Sequence, residues 1–270
     1  MRKIVAVLMA MVCVLAMTGT ALGEGLTLKE GVLQVGMEIG YPPMEYLAED
    51  GVTAVGFDVD VANELAARLG LAVELVDTAW DGIFASLDSS RYDVIISAVS
   101  ITAERQENYN LTLPYIANKL VLVTAKDLPV TTPDELGGYR VAVQTETTAD
   151  TFMKEKIAGG LALTEGESYF VYDKIIQCFD ELKFGRVDAV LVDSVVAAYY
   201  LGADAEKFTI AWENDVGEPM GLCLKKGNDA LTQKIEEAID AMMADGKMAE
   251  IATKHFGYDT TAGVRPAPAE

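Results

Sequence analysis

Two oppositely charged side chains stand where the sequence could do chemistry. Arg105 lies in Ser100-Ile101-Thr102-Ala103-Glu104-Arg105. Thr102 reads as a helix cap, which places Arg105 in a first turn, where a cation opposes the helix dipole and calls for an anion. Its planar guanidinium suits a bidentate carboxylate. The position fits equally a surface salt bridge to Glu104 or Glu107. Asp193 ends the apolar run Ala189-Val190-Leu191-Val192. A carboxylate leaving a buried strand is either paired internally or meets a cationic ligand.

Other groups are weaker pointers. Thr147-Thr148-Ala149-Asp150 resembles a capping box, whose helix start is either a plain cap or a place for an anion. Tyr41, Tyr46 and Trp80 fall in loop-like stretches, and Pro42-Pro43 stiffens the first of them. Trp80 precedes a predicted helix cap at Asp81. Such aromatics either wall a pocket and stack on a flat or cationic group, or fill a satellite core. Glu38 and Asp193 could form an acid/base pair. No G-x-S-x-G, P-loop, G-x-G-x-x-G after a strand or H-E-x-x-H is present. One histidine (His255, read as structural) and three cysteines leave little for a His or Cys metal site, and no metal or cofactor is expected.

These residues need elements to hold them. Strands are predicted over 32–37, 71–76, 93–96, 120–124, 140–143 and 189–192. Helices are predicted from Asp58 as cap to Gly70, and over 81–87, 174–184 and 232–243. Such βα alternation implies mainly parallel sheets covered by helices. One internal match has a constant offset of 95 positions: Phe84, Leu87, Arg91 and Asp93 against Phe179, Leu182, Arg186 and Asp188. Each copy is a helix, a turn and a buried strand, read as a duplication into two lobes. The strand ends release Ser97 and Ser100 in one copy and Asp193 and Ser194 in the other. Ligands of open α/β sheets bind at such ends, so two facing ends would make a cleft.

Composition bounds the rest. At 270 residues the chain is comfortable for two domains, and 51% apolar with 23% charged residues is an ordinary globular balance. The formal charge of -21 makes nucleic acid and anionic membrane poor partners. Arg2 and Lys3 precede a 14-residue apolar run, residues 4–17, and then small residues with Ala21 and Gly23 in an A-x-G arrangement. This reads as a signal peptide over residues 1–23, because a span needs about 20 residues. Export permits disulfides, but Cys178 and Cys223, in helical and strand patterns, are read as two buried free thiols. After Gly257 there is no periodicity, and residues 259–270 are expected to be disordered.

Together the motifs resemble a known family. Gly36-Met37-Glu38-Ile39-Gly40-Tyr41-Pro42-Pro43, Val55-Gly56-Phe57-Asp58-Val59-Asp60, Trp80-Asp81-Gly82-Ile83, Asp93-Val94-Ile95-Ile96-Ser97 with Ile101-Thr102-Ala103-Glu104-Arg105, and Arg186-Val187-Asp188-Ala189-Val190 with Asp193 are similar to the polar amino-acid family of extracytoplasmic solute-binding proteins. The resemblance spans residues 31–257. It implies a two-lobed α/β periplasmic-binding-protein fold, with two mainly parallel sheets joined by a two-stranded hinge. Lobe 1 would be residues 24–119 plus 216–258, and lobe 2 residues 120–215. It implies no catalytic residues. Arg105, helped by Thr148, would grip the ligand's α-carboxylate. Asp193 would take the α-ammonium, with Ser97 and Ser100 assisting beside Ala98. Tyr41 and Trp80 would sandwich the side chain, and Glu38 and Gln144 would lie at its tip. The implied partners are a free amino acid and an ABC permease at the outer face of the cytoplasmic membrane; the acid at Glu38, the aromatic walls and the negative charge favour a basic or polar amino acid, arginine or lysine first and glutamine or histidine next. A monomer is expected. A secreted cyclohexadienyl-type dehydratase on the same fold is the alternative. The family often carries Gly where Glu146 stands and Asp where Glu38 stands.

Overall fold

The computed structural model describes residues 25–265, so the predicted signal peptide lies outside the described residues. The chain first lays down β1 (Val32–Met37), β2 (Tyr46–Leu47), β3 (Ala54–Val55), α1 (Phe57–Leu69), β4 (Ala72–Asp77), α2 (Trp80–Asp88), β5 (Val94–Ile95), α3 (Ala103–Asn108) and β6 (Tyr109–Leu111). It crosses to β7 (Leu120–Ala125), a short 3-10 turn (Pro133–Glu135), β8 (Val141–Gln144), α4 (Thr148–Ala158), β9 (Tyr169–Tyr172), α5 (Ile175–Lys183), β10 (Ala189–Asp193), α6 (Ser194–Asp204) and β11 (Phe208–Glu213). It then returns to β12 (Cys223–Lys225), α7 (Asp229–Ala244) and α8 (Lys247–Phe256).

Two five-stranded sheets result, ordered β4-β1-β5-β12-β6 and β11-β7-β10-β8-β9. Their patterns correspond strand by strand. In the first, β4, β1 and β5 are parallel and β12 is antiparallel to β5 and β6. In the second, β9, β8 and β10 are parallel and β7 is antiparallel to β10 and β11. The 95-residue repeat falls on matching places. Asp93 accepts the amide of Gln34 at 2.8 Å and donates its own to Gln34 O at 2.9 Å. Asp188 does the same with Arg140, at 2.8 and 2.7 Å. In each lobe an aspartate before the buried strand thus pins the start of the neighbouring parallel strand, and both strands deliver polar residues to one end of the sheet.

Two crossovers join the sheets, residues 112–119 and 214–222, and they pair with each other. Glu218 N donates to Asn118 O at 2.8 Å, and Tyr115 N donates to Met220 O at 3.0 Å. Apolar stripes close the helices onto the sheets. Val61, Leu65 and Leu69 of α1 are buried with Leu231, Ile235, Ile239 and Met242 of α7. Each such side chain contributes about 1.5–3 kcal/mol. Cys178 in α5 and Cys223 in β12 are both buried and unbridged.

Three expectations are corrected. Asp58 does not cap α1. Gly56 is the cap residue, at φ 137, and a Cβ there would stand 2.2 Å from Met44 O. Asp58 instead turns inward and accepts from Ala98 N at 2.8 Å and Tyr115 Oη at 2.7 Å. Trp80 is not a loop residue before a cap at Asp81; it is the first residue of α2, with Ala79 before it. Of the tail expected to be disordered, residues 259–265 are placed against the first crossover and residues 266–270 lie outside the described residues. Thr260 and Thr261 are buried, Ala117 N donates to Thr260 O at 3.0 Å, and Arg265 donates to Pro114 O at 2.8 Å and to Asp240 at 2.6 Å. The segment lacks periodicity because its partners are mainly backbone groups of the first crossover rather than a core stripe.

Candidate functional site

A small cavity lies where the polar ends of the two sheets face each other. The ten residues that the resemblance implied all line it, Glu38, Tyr41, Trp80, Ser97, Ala98, Ser100 and Arg105 from lobe 1 and Gln144, Thr148 and Asp193 from lobe 2, whereas Tyr46 does not and packs with its ring centre 5.9 Å from that of Tyr199.

Arg105 is set by its local sequence. Thr102 Oγ1 accepts from Arg105 N at 3.1 Å, which starts α3. The guanidinium donates to Ser100 O at 3.0 Å and lies 5.4 Å from the Trp80 ring centre and 5.0 Å from that of Phe84. It has no ion-pair partner among the described residues. Burial pulls its pKa down. A half-buried, aromatic-backed cation without a carboxylate partner is open to an anion.

Asp193 emerges from β10. It does not cap α6. Its oxygens accept from Tyr41 Oη at 2.5 Å and from Asn118 Nδ2. Burial raises its pKa, opposed by these two donors and by Arg105. Asn118 Oδ1 also accepts from Ser194 N at 3.1 Å, so one crossover residue fixes the end of β10.

At the other end, Glu38 follows β1. Its carboxylate accepts from Gln144 Nε2 at 2.7 Å, and burial lifts its pKa to about 7. Gln144 Nε2 also donates to Asp173 O at 3.1 Å, which fixes the amide's orientation. Gln144 Oε1 is left buried with no partner among the described residues. This end therefore offers two acceptors and no donor of its own to match them.

Ser97 and Ala98 do less than the sequence reading gave them. The Ser97 hydroxyl donates to Glu45 at 2.5 Å and accepts from Glu38 N at 3.0 Å, so it is committed to the protein. Ala98 sits at φ 49, a left-handed conformation held by its amide's bond to Asp58. Glu146 is likewise left-handed, at φ 55. Its carbonyl accepts from Trp80 Nε1 at 3.2 Å. That conformation is why glycine suits this position.

Among the described residues three side-chain hydrogen bonds cross the cleft, Tyr41 to Asp193, Gln144 to Glu38 and Trp80 to Glu146 O, and Thr148 Oγ1 donates at 2.9 Å to Glu218 on the second crossover. The cleft is closed. Sequence reasoning missed Thr147, which also lines the cavity, and Asn118, Glu45 and Glu218 around it. Glu45 stands four residues after Tyr41, and nothing in a loop-like stretch marked this acid as inward-facing. Asp58 was read as a cap because acids are common at helix starts.

The bacterial extracellular solute-binding proteins of family 3 match residues 33–258. The L-cystine-binding protein TcyJ of Escherichia coli (strain K12) is 33% identical over 243 residues, covering 88% of this chain and 88% of that protein. The L-arginine-binding protein of Pseudomonas aeruginosa is 30% identical over 235 residues, covering 84% and 88%. A solved structure of an ancestral arginine-binding protein bound to arginine superposes with a TM-score of 0.79 at 34% identity, covering 84% of this chain and 99% of that one. With two matching lobes, a closed polar cleft and a family match across nearly all of the described residues, this chain belongs to family 3 of the bacterial extracellular solute-binding proteins, a family of binding proteins rather than enzymes.

Proposed function

We propose that the protein binds a free L-amino acid between its lobes and hands it to an ABC permease at the outer face of the membrane. The observation that carries this is the pairing, on one cavity, of a half-buried Arg105 without a carboxylate and a buried Asp193 without a cation among the described residues. A zwitterion supplies both missing charges. Arg105 and the backbone N–H of Thr148 at the start of α4 take its carboxylate; Asp193 takes its ammonium. Tyr41 and Trp80 flank the side chain. The relatives' names, cystine-binding and arginine-binding, support an amino-acid ligand.

The far end narrows the choice. Glu38 and the unpartnered Gln144 Oε1 both accept hydrogen bonds. A side chain rich in N–H donors, as in arginine or lysine, satisfies both, whereas aspartate or glutamate would set a third carboxylate beside Glu38 and Asp193. Among the described residues no helix is long and apolar enough to cross a membrane, which agrees with a protein exported by a cleaved signal.

Mechanism follows from the closed geometry. Ligand meets one lobe first, and the contacts made only on closure supply the differential affinity that shifts the population. A thermal-shift screen over the twenty amino acids and L-cystine tests the reading. A true ligand at 100 times its Kd adds about 2.7 kcal/mol of stability. A flat response to all of them refutes it. Conversion of prephenate-like compounds would instead support the dehydratase alternative.

A further inference from the structure

Glu45 and Asp58 are both fully buried behind the cavity wall. The backbone sets them side by side: Asp58 N donates to Met44 O at 2.8 Å, which lays the start of α1 against the loop that carries Glu45. Asp58 is matched as an anion. It accepts from Ala98 N at 2.8 Å and Tyr115 Oη at 2.7 Å, in the first turn of α1, where the helix field favours a negative charge. Glu45 is not. Ser97 Oγ donates to its Oε1 at 2.5 Å, but its Oε2 is buried with no donor among the described residues. The Asp58 carboxyl lies within hydrogen-bonding reach of Glu45, and neither acid has an ion pair among the described residues. Two buried carboxyls at such range share a proton, and the count of donors puts it on Glu45.

We propose that Glu45 is a positioning residue that works as a neutral acid: its Oε2 carries a proton and donates it in a hydrogen bond to Asp58, and the pair, with one negative charge, braces the cavity wall against the first crossover.

The brace reaches the site through two neighbours. Ser97 Oγ accepts from Glu38 N at 3.0 Å, so Glu45 fixes the point at which Glu38 leaves β1. Asp58 holds the Ala98 amide and with it the left-handed turn at φ 49. Glu38, Ser97 and Ala98 all line the cavity. Tyr115 belongs to the same crossover as Asn118, which holds Asp193, so one buried acid of each lobe is tied to that segment. The other titratable groups that face the pair are the acid Glu38 and the phenols Tyr41 and Tyr115. The bearing of this brace on affinity rests on the amino-acid reading above; the proton does not.

Two isosteric amides test the asymmetry, with L-arginine, L-lysine, L-glutamine, L-histidine and L-cystine as probes in calorimetry. Glu45→Gln keeps an acceptor for Ser97 and an N–H for Asp58, so it should bind whichever probe the wild type binds within about threefold of the wild-type affinity. Asp58→Asn turns an N–H toward a donor and should bind at least about tenfold more weakly. Infrared difference spectroscopy reads the proton itself. At about pH 8, where Glu38 is ionised, wild type minus Glu45→Gln should show the carbonyl band of a neutral carboxylic acid. No such band, or the reverse order of affinities with Asp58→Asn tolerated and Glu45→Gln not, overturns the proposal. Should Asp58→Asn not fold, the band and the Glu45→Gln affinity decide. Absence of wild-type binding to every probe overturns the amino-acid reading, while the band still decides the proton.

Discussion

The Tyr41 hydroxyl of lobe 1 donates at 2.5 Å to Asp193 of lobe 2, 152 positions away in the chain. One wall of the cleft thus aims the anion that ends the other lobe's buried strand. Asn118 holds the second oxygen, so the carboxylate is oriented before any ligand arrives.

Removing the orienting hydroxyl and removing the charge should differ. Tyr41→Phe should weaken ligand binding by about 0.5–1.5 kcal/mol, the worth of one hydrogen bond. Asp193→Asn should cost about 2–5 kcal/mol, because the ligand's ammonium is left buried and unpaired. Calorimetry on both variants checks the ordering; equal losses would contradict it.

Arg105→Ala should abolish tight binding, with a loss of about 3–5 kcal/mol from an uncompensated buried carboxylate. Arg105→Lys should rescue little, since an ammonium lacks the fork and the planar face set against Trp80 and Phe84. Unchanged affinity in the alanine variant would remove Arg105 from the site.

Glu38 makes a prediction about pH. With its pKa at about 7 in the empty protein, a cationic side chain beside it favours the ionised form. Binding of L-arginine or L-lysine should release a proton from Glu38, and its contribution to affinity should be present above pH 7 and fade as pH falls below it. Glu38→Gln should flatten that profile. Stability runs the other way. A carboxyl whose folded pKa is raised from 4.5 to about 7 stabilises fully below 4.5 and loses that contribution as pH rises through 7. Glu38→Gln should therefore raise the empty protein's stability at pH 8 by about 1–3 kcal/mol, read from denaturant melts.

Glu146→Gly should leave binding intact and raise stability by up to about 1 kcal/mol. A left-handed non-glycine residue costs about 1–2 kcal/mol, partly offset by glycine's greater entropy when unfolded. Both useful contacts of Glu146, with Trp80 and Asp150, are made by its backbone and survive the change. A lower melting temperature would show that its side chain matters.

The sequence disclosed most of the scaffold because local rules dominate there. Gly70 closes α1, Thr102 opens α3, and Thr147 caps α4, each as its residue type requires. The cavity was legible because its residues end strands or start helices. What escaped was set by distant partners. Asp58 and Glu45 are acids that only the folded chain places back to back behind Ser97 and Ala98, where burial raises both. Asn118 and Glu218 lie in crossovers with no periodicity to mark them. Residues 259–265 looked featureless because a strap along a backbone needs no apolar stripe.

That strap carries a lesson for handling the molecule. Thr260 and Arg265 grip residues 113–117 of the first crossover, the stretch about which the halves would swing. The segment from Thr260 to Arg265 therefore works as a splint on the chain's own pivot. Trimming at residue 258, or fusing a bulky handle close behind Arg265, would alter the ease of opening without touching a single residue that lines the cavity.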